Sequence, residues 1–256
     1  MVIKHSIGTI QLDTFSNYFS SFNEQYVLIG GTATMLLLSE VGFSSRTTKD
    51  LDIVLCIETL TPEFINHFWG FIKSGGYKCT SKLNGSKCLY RFEEPENPIY
   101  PYMLELLTDE SVQFEGINQV THPITLDDKI VSLSAIMLNK DYYQFLMLNR
   151  TEINGIVLVN EIGIIPLKVC AFLDLVDKKS AGNKISSDII NKHKNDVYRL
   201  VQLLTDFPLS NIPQVIKNDI IRFCSEVKDD SNILSQISVV IKEIDEIKRI
   251  LLNVYV

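Results

Sequence analysis

Val27-Leu28-Ile29-Gly30-Gly31-Thr32-Ala33 and, further on, Arg46-Thr47-Thr48-Lys49-Asp50-Leu51-Asp52-Ile53-Val54-Leu55 are the stretches whose joint reading decides the fold. The first is a short apolar strand ended by a glycine pair. The second is a strand with acids at alternate positions, and residues i and i+2 of a strand project from one face. Asp50 and Asp52 therefore aim at one point, where two neighbouring carboxylates need a cation. Hard divalent ions such as Mg²⁺ (or Mn²⁺) are held by one or two carboxylates together with substrate phosphates. The Gly30-Gly31-Thr32 turn adds close-approach backbone and a hydroxyl at a helix N-terminus, where free N–H groups and the helix dipole favour phosphate. Taken singly, a Gly-Gly turn is an ordinary connection and an Asp-x-Asp pair an ordinary surface strand. The flanks argue otherwise: Leu51, Ile53, Val54 and Leu55 are apolar, and acids beside a core are costly unless paired or metal-bound.

Glu105, inside Tyr102-Met103-Leu104-Glu105-Leu106-Leu107, raises the same question. It reads either as a salt-bridged or edge-facing glutamate or as the third member of a metal-binding carboxylate triad, on a strand beside the Asp50 strand. In a two-metal site such carboxylates fix ions that activate an attacking hydroxyl and stabilise a leaving pyrophosphate.

The rest of the composition sets bounds. A chain of 256 residues with 46% apolar and 21% charged content is that of a globular protein. No stretch approaches the ~20 apolar residues of a membrane span. The five cysteines lack C-x-x-C spacing and fit reduced, packed thiols, and the expected location is the cytoplasm. A net charge of −7 argues against a nucleic-acid coat protein. Yet from Lys168 to Arg199 seven Lys/Arg face four Asp/Glu, a local +3. That segment is either a solvated helix face or a phosphate-facing wall.

Along the chain, apolar spacing predicts a helix over 12–22, a strand over 26–29 and a helix opened by Thr32 as its cap. The Asp50 strand runs to about Ile57. Thr61-Pro62-Glu63 starts a helix that Gly75-Gly76 stops. Strands follow over 77–83 and 87–92, joined by a hairpin at Asn84-Gly85, then over 102–107. Further strands are expected over 130–138 and 156–165 with a helix between them. From Pro166 the pattern turns helical: 167–177, 187–204, 212–226 and 233–252. The expectation is an α/β (α+β) protein with a mixed-sheet core over 1–165 and a helical C-terminal domain over 166–256.

Together these motifs resemble the nucleotidyltransferase superfamily of polymerase-β-like fold. The match is nearest to the bacterial AbiEii/AbiGii-type toxin nucleotidyltransferases, through Gly30-Gly31-Thr32-Ala33 and Arg46-Thr47-Thr48-Lys49-Asp50-Leu51-Asp52. The resemblance implies metal ligation by Asp50, Asp52 and Glu105, and nucleotide contacts from Gly30, Gly31, Thr32 and Thr48. Pro166-Leu167-Lys168 and Lys192-His193-Lys194-Asn195-Asp196-Val197-Tyr198-Arg199-Leu200 look like the family's later motifs. They imply phosphate contacts for Lys168, Lys192 and Lys194 and an orienting or metal-proximal role for Asp196. The activity implied is Mg²⁺-dependent transfer of NMP from an NTP to an acceptor hydroxyl on a tRNA, a protein or a small molecule. The toxin branch adds an antitoxin partner, and no membrane is involved. The rival reading is a nucleotide-binding or protein-interaction module that keeps the fold without turnover. His67, beside Phe68 and Trp69, reads as a packing or surface histidine, and Tyr142-Tyr143-Gln144-Phe145 as core rather than a base-stacking platform.

Overall fold

The computed structural model describes residues 7–83, 86–109, 121–124, 133–228 and 232–256, so the Asn84-Gly85 hairpin turn and positions 130–132 lie outside it. In chain order the elements are α1 (Thr9–Phe19), β1 (Tyr26–Ile29), α2 (Gly30–Glu40), β2 (Asp50–Leu55), α3 (Pro62–Gly75), β3 (Lys78–Leu83), β4 (Ser86–Glu93), β5 (Met103–Asp109), β6 (Thr121–Ile124) and β7 (Leu133–Leu138). After them come α4 (Lys140–Leu148), β8 (Arg150–Ile153), β9 (Ile156–Val159), α5 (Glu161–Ser180), α6 (Ser187–Val201), α7 (Gln214–Glu226), α8 (Asn232–Gln236) and α9 (Ile244–Tyr255). The protein is mixed α/β. Among the described residues no helix is long and apolar enough to cross a membrane. The chain divides into a sheet unit, drawn from 7–33, 46–143 and 150–158, and a helical unit, drawn from 34–45, 144–149 and 159–256.

In the sheet unit the strand order is β3-β4-β5-β2-β1-β9-β8, with β7 pairing both β5 and β6. β2 runs antiparallel to β1 and parallel to β5, while β4 runs antiparallel to β5. Leu51 pairs with Leu104 and Ile53 with Leu106, and all four are buried. That face packs a core rich in aromatics from α1 and α3: Phe15 and Phe19 with ring centroids 4.7 Å apart, and Phe71 5.2 Å from Phe19. The same alternation leaves Asp50, Asp52 and Glu105 half-buried on the opposite face. α3 begins and ends as its residues dictate: Thr61 Oγ1 accepts from the Phe64 amide at 3.3 Å, and Gly76 closes the helix at φ 65°. His67 is a packing histidine, its ring 4.1 Å from that of Tyr18 and its Nε2 2.6 Å from the Tyr18 carbonyl. Tyr142, Tyr143 and Phe145 are buried, and the Tyr143 hydroxyl donates to Glu58 at 2.7 Å. Burial lifts the Cys56 thiol to about 11, and Cys224 in the helical unit likewise, so both are neutral packed thiols.

Three local expectations need correction. The strand expected over 156–165 ends at Val159, because Asn160 caps a helix there, its Oδ1 accepting from the Gly163 amide at 3.1 Å. Pro166 therefore lies inside α5 rather than opening the helical region. A proline cannot bond the carbonyl four residues back. Here the Tyr255 hydroxyl, at the end of α9, donates to that carbonyl of Ile162 at 2.9 Å. Finally, the helix expected over 233–252 is two helices, α8 and α9. Ser238 takes φ 61°, the Val239 amide turns back to the Leu234 carbonyl at 2.9 Å, and the Val240 amide donates to Gln202 at 2.6 Å.

Within the helical unit α5 packs against α6 and α7, and α9 against α6 and α7. Phe172 and Phe223 meet edge to face, centroids 5.2 Å apart.

Candidate functional site

The register of the sheet brings the acids into one row. Asp52 pairs with Glu105 on β5, Glu105 pairs with Arg91 on β4, and Ile29, the residue before Gly30, pairs with Asp52 on its other side. Directly paired residues share a face, so Arg91, Glu105 and Asp52 form a line across three strands, with Asp50 one step along β2. Glu105 thus points to the same face as the aspartates.

The two glycines explain why the Gly-Gly and Asp-x-Asp stretches occur together. Gly30 adopts φ 72°, and a Cβ there would run into the Asp52 carboxylate. At Gly31 a Cβ would come within 2.6 Å of Thr48 Oγ1 and 2.8 Å of an Arg46 guanidinium nitrogen. Each glycine therefore makes room for a side chain from the later stretch, one for Asp52 and one for Thr48 with Arg46. Thr32, expected as the helix cap, lies instead inside the first turn of α2, fully buried, and its hydroxyl donates to the Asp50 carbonyl at 2.6 Å. That bond ties the turn to the acidic strand. Thr48 is buried too, and its carbonyl accepts from the Ile7 amide at 2.6 Å. Lys49 is turned to the Tyr102 ring, 4.3 Å from its centroid.

Two observations bear on a cation. Asp50 Oδ1 is buried and has no hydrogen-bond partner. A buried, unmatched carboxylate oxygen is costly, and an ion would complete it. The donor set of Asp50 and Asp52 is hard and all oxygen, which suits Mg²⁺ or Mn²⁺. Glu105, by contrast, is already engaged: an Arg91 guanidinium nitrogen donates to its Oε1 at 2.8 Å. Among the described residues no three acids, histidines or cysteines are gathered closely enough to hold an ion. The residues present therefore fit a cation at the two aspartates, and Glu105 joins them only by releasing Arg91. Sequence reading missed Arg91, whose one signal was a cation immediately before the core residue Phe92 on a strand.

The later motifs lie in the helical unit. The Lys168 ammonium is buried and donates to Asp196 Oδ2 at 3.0 Å, while Arg199 donates to Oδ1 of the same carboxylate at 3.3 Å. Asp196 is wholly buried between two cations. Lys192 is exposed, and Lys194 is half-buried with its ammonium 6.0 Å from the Tyr198 ring.

No protein-family model and no curated protein matches the chain. Among solved structures it is similar to an antigenic nucleotidyltransferase-like protein from Paracoccidioides brasiliensis, at 17% identity and a TM-score of 0.47 over 93% of this chain and 97% of that one. A likeness of that strength assigns no chemistry to this chain.

Proposed function

We propose that the chain is a divalent-metal-dependent nucleotidyltransferase, moving NMP from an NTP to an acceptor hydroxyl with release of pyrophosphate. The observation that carries the reading is Asp50: a buried carboxylate oxygen with no partner, beside Asp52, on a strand locked to a Gly-Gly turn. The sequence match at Gly30-Gly31-Thr32-Ala33 and Arg46-Thr47-Thr48-Lys49-Asp50-Leu51-Asp52 supports it.

In this reading Asp50 and Asp52, joined by Glu105 once it releases Arg91, would hold Mg²⁺ or Mn²⁺. When bound, such a cation supplies charge neutralisation at the reacting phosphates. Gly30 and Gly31, lacking side chains, let phosphate oxygens approach the backbone at the start of α2. The carboxylates orient the acceptor hydroxyl and are the nearest bases for its proton as the new P–O bond forms and the bond to pyrophosphate breaks. The cations expected from the resemblance, Lys168, Lys192 and Lys194, with Asp196, belong to the helical unit and are not needed for this core of the proposal. The acceptor is a tRNA end, a protein side chain or a small molecule, and the toxin branch brings with it an antitoxin partner.

One observation favours the rival, a binding module without turnover: the Arg91–Glu105 ion pair satisfies the third acid from within the chain. The two readings separate in an assay with each α-labelled NTP, Mg²⁺ or Mn²⁺, and total tRNA, cell protein and small-molecule acceptors in parallel. Label transfer with stoichiometric pyrophosphate is expected. NTP binding without transfer to any acceptor class would favour the module, and no binding at all would end both.

A further inference from the structure

The ion pair at Glu105 can open from one side. By register Arg91 on β4, Glu105 on β5 and Asp52 on β2 form one row, and neighbouring strands lie about 4.8 Å apart. An Arg91 guanidinium nitrogen donates to Glu105 Oε1 at 2.8 Å. The two partners differ in exposure: the Arg91 side chain is 40% exposed and that of Glu105 14%. The arginine therefore has room to swing outward, while Glu105 stays in the row. On the other flank of the row Asp52 fits against Gly30, and a buried oxygen of Asp50 has no hydrogen-bond partner. With Glu105 held by Arg91, the described residues gather no three acids around one ion position.

We propose that Arg91 is a latch on this site. It holds Glu105 away from the aspartates until a polyphosphate arrives, then takes the polyphosphate in place of Glu105, which turns to the cation beside Asp52. The inference rests on the nucleotidyltransferase reading and adds a positioning residue to it. A cation alone opens the pair poorly, because drawing Glu105 away takes that acid from the guanidinium and sets two positive charges near each other. A polyphosphate alone also binds poorly, because it meets the negative charge of Asp50 and Asp52. Arriving together, each replaces what the other displaces. Glu105 gains the cation, and the guanidinium gains phosphate oxygens, which its planar fork suits as well as it suits a carboxylate. Metal and polyphosphate thus tighten each other's binding, and the coupling is reciprocal. A purely structural ion pair would give none.

The test uses the full chain, with Mn²⁺ followed by electron paramagnetic resonance and inorganic tripolyphosphate followed by calorimetry. Arg91→Met should bind Mn²⁺ alone about tenfold more tightly than wild type, since Glu105 joins without a pair to break. In a Glu105→Gln background the same change should shift Mn²⁺ affinity by no more than about twofold, which separates release of Glu105 from loss of a nearby positive charge. Glu93→Gln, on the same face of β4 but paired with Met103, is the control and should also stay within about twofold of wild type. At saturating Mn²⁺, Arg91→Met should weaken tripolyphosphate binding about tenfold. Arg91→Gln repeats the series if Arg91→Met lowers the melting temperature. Equal Mn²⁺ gains in both backgrounds, no gain in either, or unchanged tripolyphosphate affinity overturns the latch and leaves the metal reading standing. No Mn²⁺ uptake by wild type or Arg91→Met up to about 1 mM ends the metal reading and the latch with it.

Discussion

Each unit of the protein takes carboxylates out of water, and the two do so in opposite ways. In the helical unit Asp196, wholly buried, lies between Lys168 and Arg199, with a cation within bonding distance of each oxygen. In the sheet unit Asp50, Asp52 and Glu105 share one face, Arg91 answers Glu105, and a buried oxygen of Asp50 has no partner. The first arrangement is closed, because the chain supplies its own counter-charge. The second leaves one buried oxygen of Asp50 without a partner, which an ion from solution would complete. Removing one partner of a closed buried pair leaves an uncompensated charge, whereas neutralising one of several crowded acids relieves repulsion. On the proposed function, the contrast would separate an acid kept for structure from an acid kept for chemistry.

The largest expected effect is on activity. The double variant Asp50→Asn, Asp52→Asn keeps the shape of both side chains and removes the charge that would hold a metal. Nucleotidyl transfer should fall by roughly a thousandfold or more, the scale of losing several kcal/mol of metal-based stabilisation. Stability in urea should hold or rise. If the variant unfolds instead, the aspartates belong with Asp196 as structural acids, and the contrast between the units fails.

Next comes Asp196→Asn. With its negative charge gone, Lys168 is left buried beside a neutral amide, and the expected loss is about 3–5 kcal/mol of unfolding free energy, read as a lower urea midpoint at unchanged slope. A loss under about 1 kcal/mol, together with weakened NTP binding, would return Lys168 to the phosphate contact, and Asp196 to the orienting or metal-proximal role, that the sequence resemblance implies.

A pair of glycine variants then tests how tightly the turn and the acid are fitted. Gly42 takes φ 76° with nothing near its missing Cβ, so Gly42→Ala should cost only backbone strain, about 1–2 kcal/mol. Gly30 takes nearly the same angle, but its Cβ would also collide with the Asp52 carboxylate. Gly30→Ala should therefore cost more than Gly42→Ala and also lower transfer. Equal costs would mean that Asp52 moves aside freely and is not held by the turn.

Much of this was legible in the chain because sheets have a period of two. Asp50 and Asp52 alternate with Leu51 and Ile53, and Glu105 alternates with Leu104 and Leu106, so the face each acid takes follows from the core residues between them. That Asp52 and Glu105 lie directly opposite each other is a matter of register, which residue patterns within either strand leave open. The Arg91–Glu105 pair was hidden for the same reason. Lys168 and Asp196 stand 28 positions apart on different helices, and nothing local marks either as the other's partner. The place of Pro166 inside α5 was not legible, because the hydroxyl that reaches the Ile162 carbonyl in place of its missing amide comes from Tyr255, 93 residues beyond Ile162.

That replacement gives the smallest effect, and it extends the contrast to an uncharged group. Pro166 leaves the Ile162 carbonyl without its helical donor, and the buried Tyr255 hydroxyl takes the place. Its ionisation is pushed well above the ordinary phenol range, chiefly by burial, so the hydroxyl stays a donor up to strongly alkaline pH. Tyr255→Phe should cost about 1–2 kcal/mol, the bond together with the orphaned carbonyl, and little packing. Pro166→Ala restores an amide that reaches the same carbonyl, so Tyr255→Phe made in that background should cost less, with a coupling of about 0.5–1 kcal/mol in a double-mutant cycle. Additive costs would mean that the hydroxyl does not stand in for the missing amide. The place of Pro166 within α5 would then rest on packing alone.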